Sequence, residues 1–128
     1  MTTTETGIVV TGVLGDDTRY ARTPSEVAEL VRALLTTPYA ELRVGPEAHH
    51  LAIATTPGWG ALTFTTADDH VDSHNPDAPP DAPLLPKDAA GTRHYPTTAS
   101  LPLDQVSEAV AEYCLTAQRP ACVLWQPA

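Results

Sequence analysis

Hydrophobic positions recur with a helical period in two stretches of the chain. In the first stretch they lie three or four residues apart, on one side of a helix: Val27, Leu30, Val31, Leu34 and Leu35. Thr23 is placed to cap this helix, with Pro24 at its first position and Glu26 completing a capping box. Because a proline cannot continue a helix, we expect this one to end before Pro38.

The second helical stretch lies near the end of the chain. Pro102 suits the first helical position, and Asp104 suits the positive end of the helix dipole. The apolar residues form one stripe: Leu103, Val106, Ala109, Val110, Tyr113 and Cys114. After Pro120 the run ACVLWQ predicts a final strand. We expect this strand to pair inside the sheet beside an early strand, with Trp125 in the core.

Strand signals lie before the first helix, and from Glu41 onward the hydrophobic period changes to two. GIVVTGVL predicts a strand, and TRYAR after the GDD turn predicts the second arm of a hairpin. ELRVG, HLAIAT and GALTFTT are short β-type runs separated by turn signals, each with one apolar face. The pattern predicts one α+β domain over residues 1–128. Its sheet is expected to be antiparallel or mixed, with about five or six strands, two helices packed on it and the last strand at the C-terminus.

The segment from Asp68 onward breaks both periods. It holds six aspartates and one lysine up to Asp88, with five prolines between Pro76 and Pro86. This composition predicts a long acidic, proline-rich loop over residues 68–92, with a short strand near Val71. TRHYPT is expected to return as an edge strand. Loops of this length inside compact domains are usually functional or disordered.

Charge indicates which partners the chain can bind, and targeting signals indicate where it is located. Sixteen acidic residues against seven basic ones give a formal charge of −9, so nucleic acid and anionic membranes repel the chain and a basic protein attracts it. MTTTETG lacks the features of a signal peptide, and no apolar run is long enough to span a membrane, so we expect a cytoplasmic protein. Cys114 and Cys122 are expected to be reduced core residues on apolar faces.

The C-terminal segment resembles that of the immunity protein 1 family. The similar residues are PLDQV at the start of the helix, EAVAEY within it, and RPACVLWQ at the step into the final strand. The order of earlier elements is also similar, including GWG and the acidic TTADD, whereas the proline-aspartate loop departs from the family pattern. The resemblance implies an α+β antitoxin, without enzyme activity, that binds one toxin domain of a bacterial polymorphic toxin system. Such toxins are often nucleic-acid deaminases or nucleases.

Two groups of residues are candidates for toxin contact. Carboxylates can meet the basic groups of a nucleic-acid-binding groove, and the acidic candidates are Asp68, Asp69, Asp72, Asp77 and Asp81. Trp59, between two glycines, and Tyr95 are aromatic candidates, because interface hot spots are enriched in Trp and Tyr. The alternative interpretations remain open: a solvated loop that serves solubility, and aromatic residues that fill the core.

Two other functions compete with toxin inhibition. One is a small acidic chaperone or adaptor for an effector. The other is a metal-dependent hydrolase using His70 and His74, which we disfavour because their spacing brings them onto a shared face only in a helix. No P-loop, dinucleotide fingerprint or G-x-S-x-G motif occurs, so we expect no catalytic residue, metal or cofactor. The free protein is expected to be a monomer or weak oligomer.

Overall fold

The computed structural model describes residues 9–45 and 48–128. Within these residues two helices and eight strands follow one another, with one short 3-10 turn at Thr97–Ala99. They are β1 (Val10–Leu14), β2 (Asp17–Ala21), α1 (Pro24–Leu34), β3 (Tyr39–Val44), β4 (His50–Thr56), β5 (Trp59–Thr65), β6 (His70–His74), β7 (Leu101–Pro102), α2 (Leu103–Thr116) and β8 (Leu124–Pro127).

The strands form one antiparallel sheet in the order β2-β1-β3-β4-β5-β6-β8, and β7 pairs with the start of β5. The α+β class with two helices, the β1–β2 hairpin and the short strand at Val71 are confirmed. The strand number exceeds the predicted five or six. One of the additional strands is β7, which is only two residues long. A strand this short shows no alternation of apolar and polar residues from which it could be predicted.

Both helices pack on one side of the sheet, called here the helix face. Thr23 caps α1 as predicted, with its hydroxyl accepting from the Glu26 N–H at 3.2 Å. The Glu26 carboxylate accepts from the Arg22 N–H at 2.8 Å and completes the capping box one residue earlier than the usual pattern. In α2, Pro102 is the residue before the helix and belongs to β7, so the helix starts at Leu103.

The opposite side, called here the second face, is covered over β4 and β5 by the cap segment, defined as residues 75–100. Leu85, Tyr95 and Ala99 from this segment pack on Ala54 and Ala61 of the sheet. The interior positions of β4 and β5 are therefore buried on both faces, whereas the sequence predicted one covered side. Small alanines on the second face leave room for the larger side chains of the cap segment.

The last strand lies at an edge of the sheet, and the expectation that it pairs beside an early strand was wrong. Within residues 9–45 and 48–128, β8 pairs only with β6, and β1 is already flanked by β2 and β3, which leaves it no free side. Trp125 is half-buried, with its ring centroid 6.4 Å from that of Phe64 and its indole N–H donating to the Pro120 carbonyl at 2.8 Å. The apolar end of the chain thus closes one end of the helix-face core.

Two segments also differ from the prediction. TRHYPT forms no strand; an isolated bridge between Pro86 and His94 is its only β pairing among the described residues. Cys122 lies in the exposed step before β8, whereas Cys114 is partly buried against the core. Neither cysteine is in a disulfide.

Replacing Gly60 should destabilise the fold because α2 lies directly against it. A Cβ at this position would lie 2.8 Å from Val106 Cγ2 and 3.1 Å from the Ala54 carbonyl oxygen. Gly60→Ala should lower the free energy of unfolding in urea by about 2 kcal/mol. At Gly12 the nearest atom is the flexible end of Leu30, also 2.8 Å away, so Gly12→Ala serves as the matched control. An equal loss in both variants would contradict this account.

Trp125 should contribute to stability through packing on Phe64 and through its indole hydrogen bond. Because the residue is half-buried at an edge strand, Trp125→Ala should cost about 2–3 kcal/mol in urea unfolding, at or below the usual range for buried aromatics. Trp125→Phe keeps the ring and loses the N–H donor, so it should cost about 1 kcal/mol. A loss below about 0.5 kcal/mol for Trp125→Ala would show that β8 contributes little to the core.

Candidate functional site

The cap segment is fastened to the sheet by a buried charged network. Lys87 Nζ donates to Asp72 Oδ2 at 2.6 Å, and the two side chains are only 16 % and 2 % exposed. Thr63 donates its hydroxyl hydrogen to Asp72 Oδ1 at 2.8 Å. The Tyr95 hydroxyl lies 2.6 Å from the same Thr63 oxygen. Asp72 on β6 therefore holds the only lysine of the chain over the middle of the sheet.

The network has one consistent set of donors. A threonine hydroxyl has a single hydrogen, and Thr63 gives it to Asp72, so Tyr95 must donate to Thr63. Burial raises the pKa of Tyr95, which keeps this donor protonated. Lys87 Nζ also lies 5.4 Å from the centre of the Tyr95 ring, within range of a cation–π interaction.

Hydrogen bonds to main-chain carbonyl groups hold the rest of the cap segment. Where it leaves β6, the Asn75 N–H donates to the Thr98 carbonyl at 2.6 Å and the Asn75 side chain donates to Ser100 at 2.8 Å. Farther along, the Ser100 hydroxyl donates to Pro83 at 2.9 Å and the Tyr95 N–H donates to Leu85 at 2.9 Å. The proline-rich segment is therefore a fastened cover, not a solvated loop.

A polar pocket of about 280 Å³ opens on the second face beside this network. Its lysine and its arginine are both paired: Lys87 with Asp72, and Arg93 with Asp88 at 3.6 Å. The Tyr39 hydroxyl donates to Glu41 at 3.1 Å, and burial together with this carboxylate raises the pKa of Tyr39 to about 12. Burial lowers the pKa of His50, which favours its neutral form. The lining residues are Tyr39, Glu41, His50, Ala52, Thr63, Thr65, His70, Lys87 and Arg93.

The exposed candidate aspartates lie at opposite ends of β6. Asp68 and Asp69 occupy the turn before this strand, and Asp77 and Asp81 follow it in the cap segment. Since β6 has five residues, its length separates the two pairs by roughly 16 Å. A single compact contact surface therefore includes one of these two pairs of aspartates more readily than both.

Trp59 lies at the same end of the sheet as Asp77 and Asp81. β6 runs antiparallel to β5 with Asp72 opposite Thr63, so the end of β6 approaches the start of β5. Trp59 begins β5 directly after the turn at Pro57 and Gly58, whose φ of 86° suits glycine. It is half-buried and pairs with Pro102 of β7. The Trp59 end of the sheet thus combines an aromatic candidate with two exposed carboxylates.

An apolar groove of about 620 Å³ lies at this end, and we call it the leucine groove. It runs between the end of α1, the β4–β5 turn, the start of α2 and the middle of the cap segment. Its most exposed large apolar residue is Leu84, with 62 % of its surface accessible. The lining residues are Leu35, Thr36, Pro38, Thr55, Thr56, Pro57, Pro83, Leu84, Leu85, Pro86 and Leu103.

Two predicted contact residues are internal. Asp72 and Tyr95 are each 1 % exposed, because both belong to the network that fastens the cap segment. This placement argues against the interpretation of Asp72 as a groove-facing carboxylate and of Tyr95 as an exposed anchor. Sequence reasoning missed Lys87 and Leu84. Their signals were a single lysine among six aspartates and a Leu-Leu pair between prolines.

The histidines form no metal centre in the described part of the chain. His70 and His74 do share the second face, because residues four apart in a strand point the same way, but they lie roughly 13 Å apart. No group of three or more His, Cys, Asp or Glu side chains within residues 9–45 and 48–128 could hold a metal ion. His49 and His50 point to opposite faces, as expected for neighbours at a strand. His49 Nδ1 lies 2.8 Å from the Tyr113 hydroxyl on the helix face.

Both thiols are held in their neutral form. Burial raises the pKa of Cys114 to about 12. Cys122 is an exposed residue, but desolvation of its thiol and the neighbouring Glu112 carboxylate raise its pKa to about 11. Because the thiolate is the nucleophile, neither cysteine is activated at neutral pH.

Comparison with protein families identifies the class of protein. The family model described as immunity protein Imm1 matches residues 15–127, almost the whole chain. The chain belongs to the Imm1 immunity protein family. Membership implies an immunity protein that acts by binding a cognate toxin, and it confirms the resemblance drawn from the C-terminal residues. No curated protein matches the chain significantly. Neither described helix is long and apolar enough to cross a membrane.

In this Imm1 protein the Asp72–Lys87 pair should be important for stability. Lys87→Met would leave a carboxylate buried without its partner and should lower the free energy of unfolding in urea by about 3–5 kcal/mol. Combining it with Asp72→Asn removes the unpaired charge, so the double variant should be less destabilised than Lys87→Met alone. Arg93→Met, which breaks an exposed pair, is the control and should change little. Equal losses in the single and double variants would contradict a buried, coupled pair.

Proposed function

We propose that this Imm1 protein neutralises a cognate toxin of a bacterial polymorphic toxin system by binding its toxic domain in the cytoplasm. The observation that carries the proposal is the family match over residues 15–127. We further propose that the toxin is a nucleic-acid-targeting deaminase or nuclease, because such an enzyme has a basic substrate groove. A formal charge of −9 complements that groove.

The arrangement of the surface supports a binding role. The cap segment presents Asp77 and Asp81 on a backbone already held by internal hydrogen bonds, so little conformational entropy is lost when they meet a partner. Charged groups of this kind mainly speed association with a partner of opposite charge. The toxin contact is proposed to include Trp59, Asp77 and Asp81, with Asp68 and Asp69 contributing only if the interface also reaches the β5–β6 turn.

The test uses the cognate toxin domain, which is sought in the gene next to the one that encodes this chain. One equivalent of the immunity protein should abolish the enzymatic activity of that domain, and it should protect cells that produce the toxin. An effector chaperone or adaptor would bind and leave the activity intact. Full activity at a tenfold excess of a folded immunity protein would refute the proposal.

Electrostatic docking has its own signature in the association rate. Asp77→Asn combined with Asp81→Asn should slow association by about tenfold at low salt, and the difference should shrink as salt rises. Glu29→Gln combined with Glu108→Gln is the matched control, because it removes the same charge from exposed positions on the helices. Stopped-flow binding at several salt concentrations measures both. Equal slowing in the two double variants would show that only net charge matters.

A further inference from the structure

We propose that the leucine groove is the centre of the toxin interface and that it receives an apolar side chain of the toxin domain. This inference rests on the proposed function and assigns it to one surface. The groove lies between Leu35 of the α1 end, Pro57 of the β4–β5 turn, Leu103 of α2 and Leu84 of the cap segment. The proposed function makes the partner a basic protein. The groove adds that this protein has an exposed aliphatic or aromatic side chain amid its positive charges.

The exposure of Leu84 is imposed by its neighbours. Leu85 is 2 % exposed, and its carbonyl accepts from the Tyr95 N–H at 2.9 Å. On the other side, the Pro83 carbonyl accepts from the Ser100 hydroxyl at 2.9 Å. Because both flanking residues are fastened, Leu84 cannot turn inward without breaking the cap segment. A large apolar side chain is thus held in solvent by the same contacts that stabilise the fold.

The groove has the composition of an interface core. None of its lining residues is charged, and depletion of charge is what marks the fully buried centre of protein interfaces. Carboxylates lie immediately outside it: Asp81 is two residues before Pro83, and Asp104 follows Leu103 at the start of α2. An apolar centre with an acidic rim complements a basic partner.

The other two exposed leucines lie beside cations. Leu115, which is 87 % exposed, lines a groove between the helices together with Arg22 and Arg32. Leu124, which is 58 % exposed, lines a cleft along β8 together with Arg119. A basic toxin surface would be repelled at both places. Among the exposed leucines of residues 9–45 and 48–128, Leu84 is therefore the one whose charged surroundings suit contact with a basic toxin.

Three leucine variants test this assignment against one another. Leu84→Ser, Leu115→Ser and Leu124→Ser each remove one exposed leucine without changing the charge. The probe is the cognate toxin domain, inactivated at its catalytic centre, and its dissociation constant is measured by titration calorimetry. Leu84→Ser should weaken binding by about tenfold or more, as expected for a residue at the centre of an interface. The two control variants should bind within about twofold of the parent chain, and Leu84→Met should retain most of the affinity.

The outcomes separate this inference from the proposed function. Urea unfolding first establishes that all variants are folded. If the parent chain binds and Leu84→Ser binds equally well, the groove is not the interface centre, and the antitoxin role stands. If Leu115→Ser or Leu124→Ser instead causes the loss, the interface lies on the helices or along β8. If the parent chain itself does not bind the toxin domain, the proposed function fails, and this inference fails with it.

Discussion

Burial of β4 and β5 on both faces depends on a cover that contains few large apolar side chains. The helices supply aliphatic side chains to the helix face, but the cap segment brings mainly Leu85, Tyr95 and Ala99 to the second face. A buried ion pair between Asp72 and Lys87 compensates for this, together with the hydroxyl groups of Thr63 and Tyr95. Removing two charges from water is costly unless they are paired and hydrogen-bonded, and here both conditions are met.

This way of fastening the cap segment determines what the surface can offer a partner. Charged residues inside the network are buried and paired, so they cannot contact a partner. Asp72 therefore acts only by holding the cap segment in place. Asp77, Asp81 and Leu84 remain outside it, on a backbone whose position is already set. Rigid presentation suits an inhibitor, because the interface then loses little conformational freedom on binding.

Burial keeps several titratable groups of the core uncharged. Burial raises the pKa of Tyr39, Tyr113 and Cys114 to about 12, so each stays neutral at physiological pH. The role of the protein follows instead from its Imm1 membership, which implies that it acts by binding a cognate toxin.

Local patterns in the sequence determined the helices, the hairpin, the first-turn cap at Thr23 and the family, because each depends on residues close together in the chain. Spacing alone could also show that residues 68–92 break the periodicity. Only the tertiary structure decided that the cap segment lies on the sheet, that Asp72 is buried beneath it and that β8 is an edge strand. Those features depend on pairings between distant residues, such as Asp72 with Lys87 and β6 with β8, whose free energy has no local signature. The same holds for the leucine groove, which four separate segments build together.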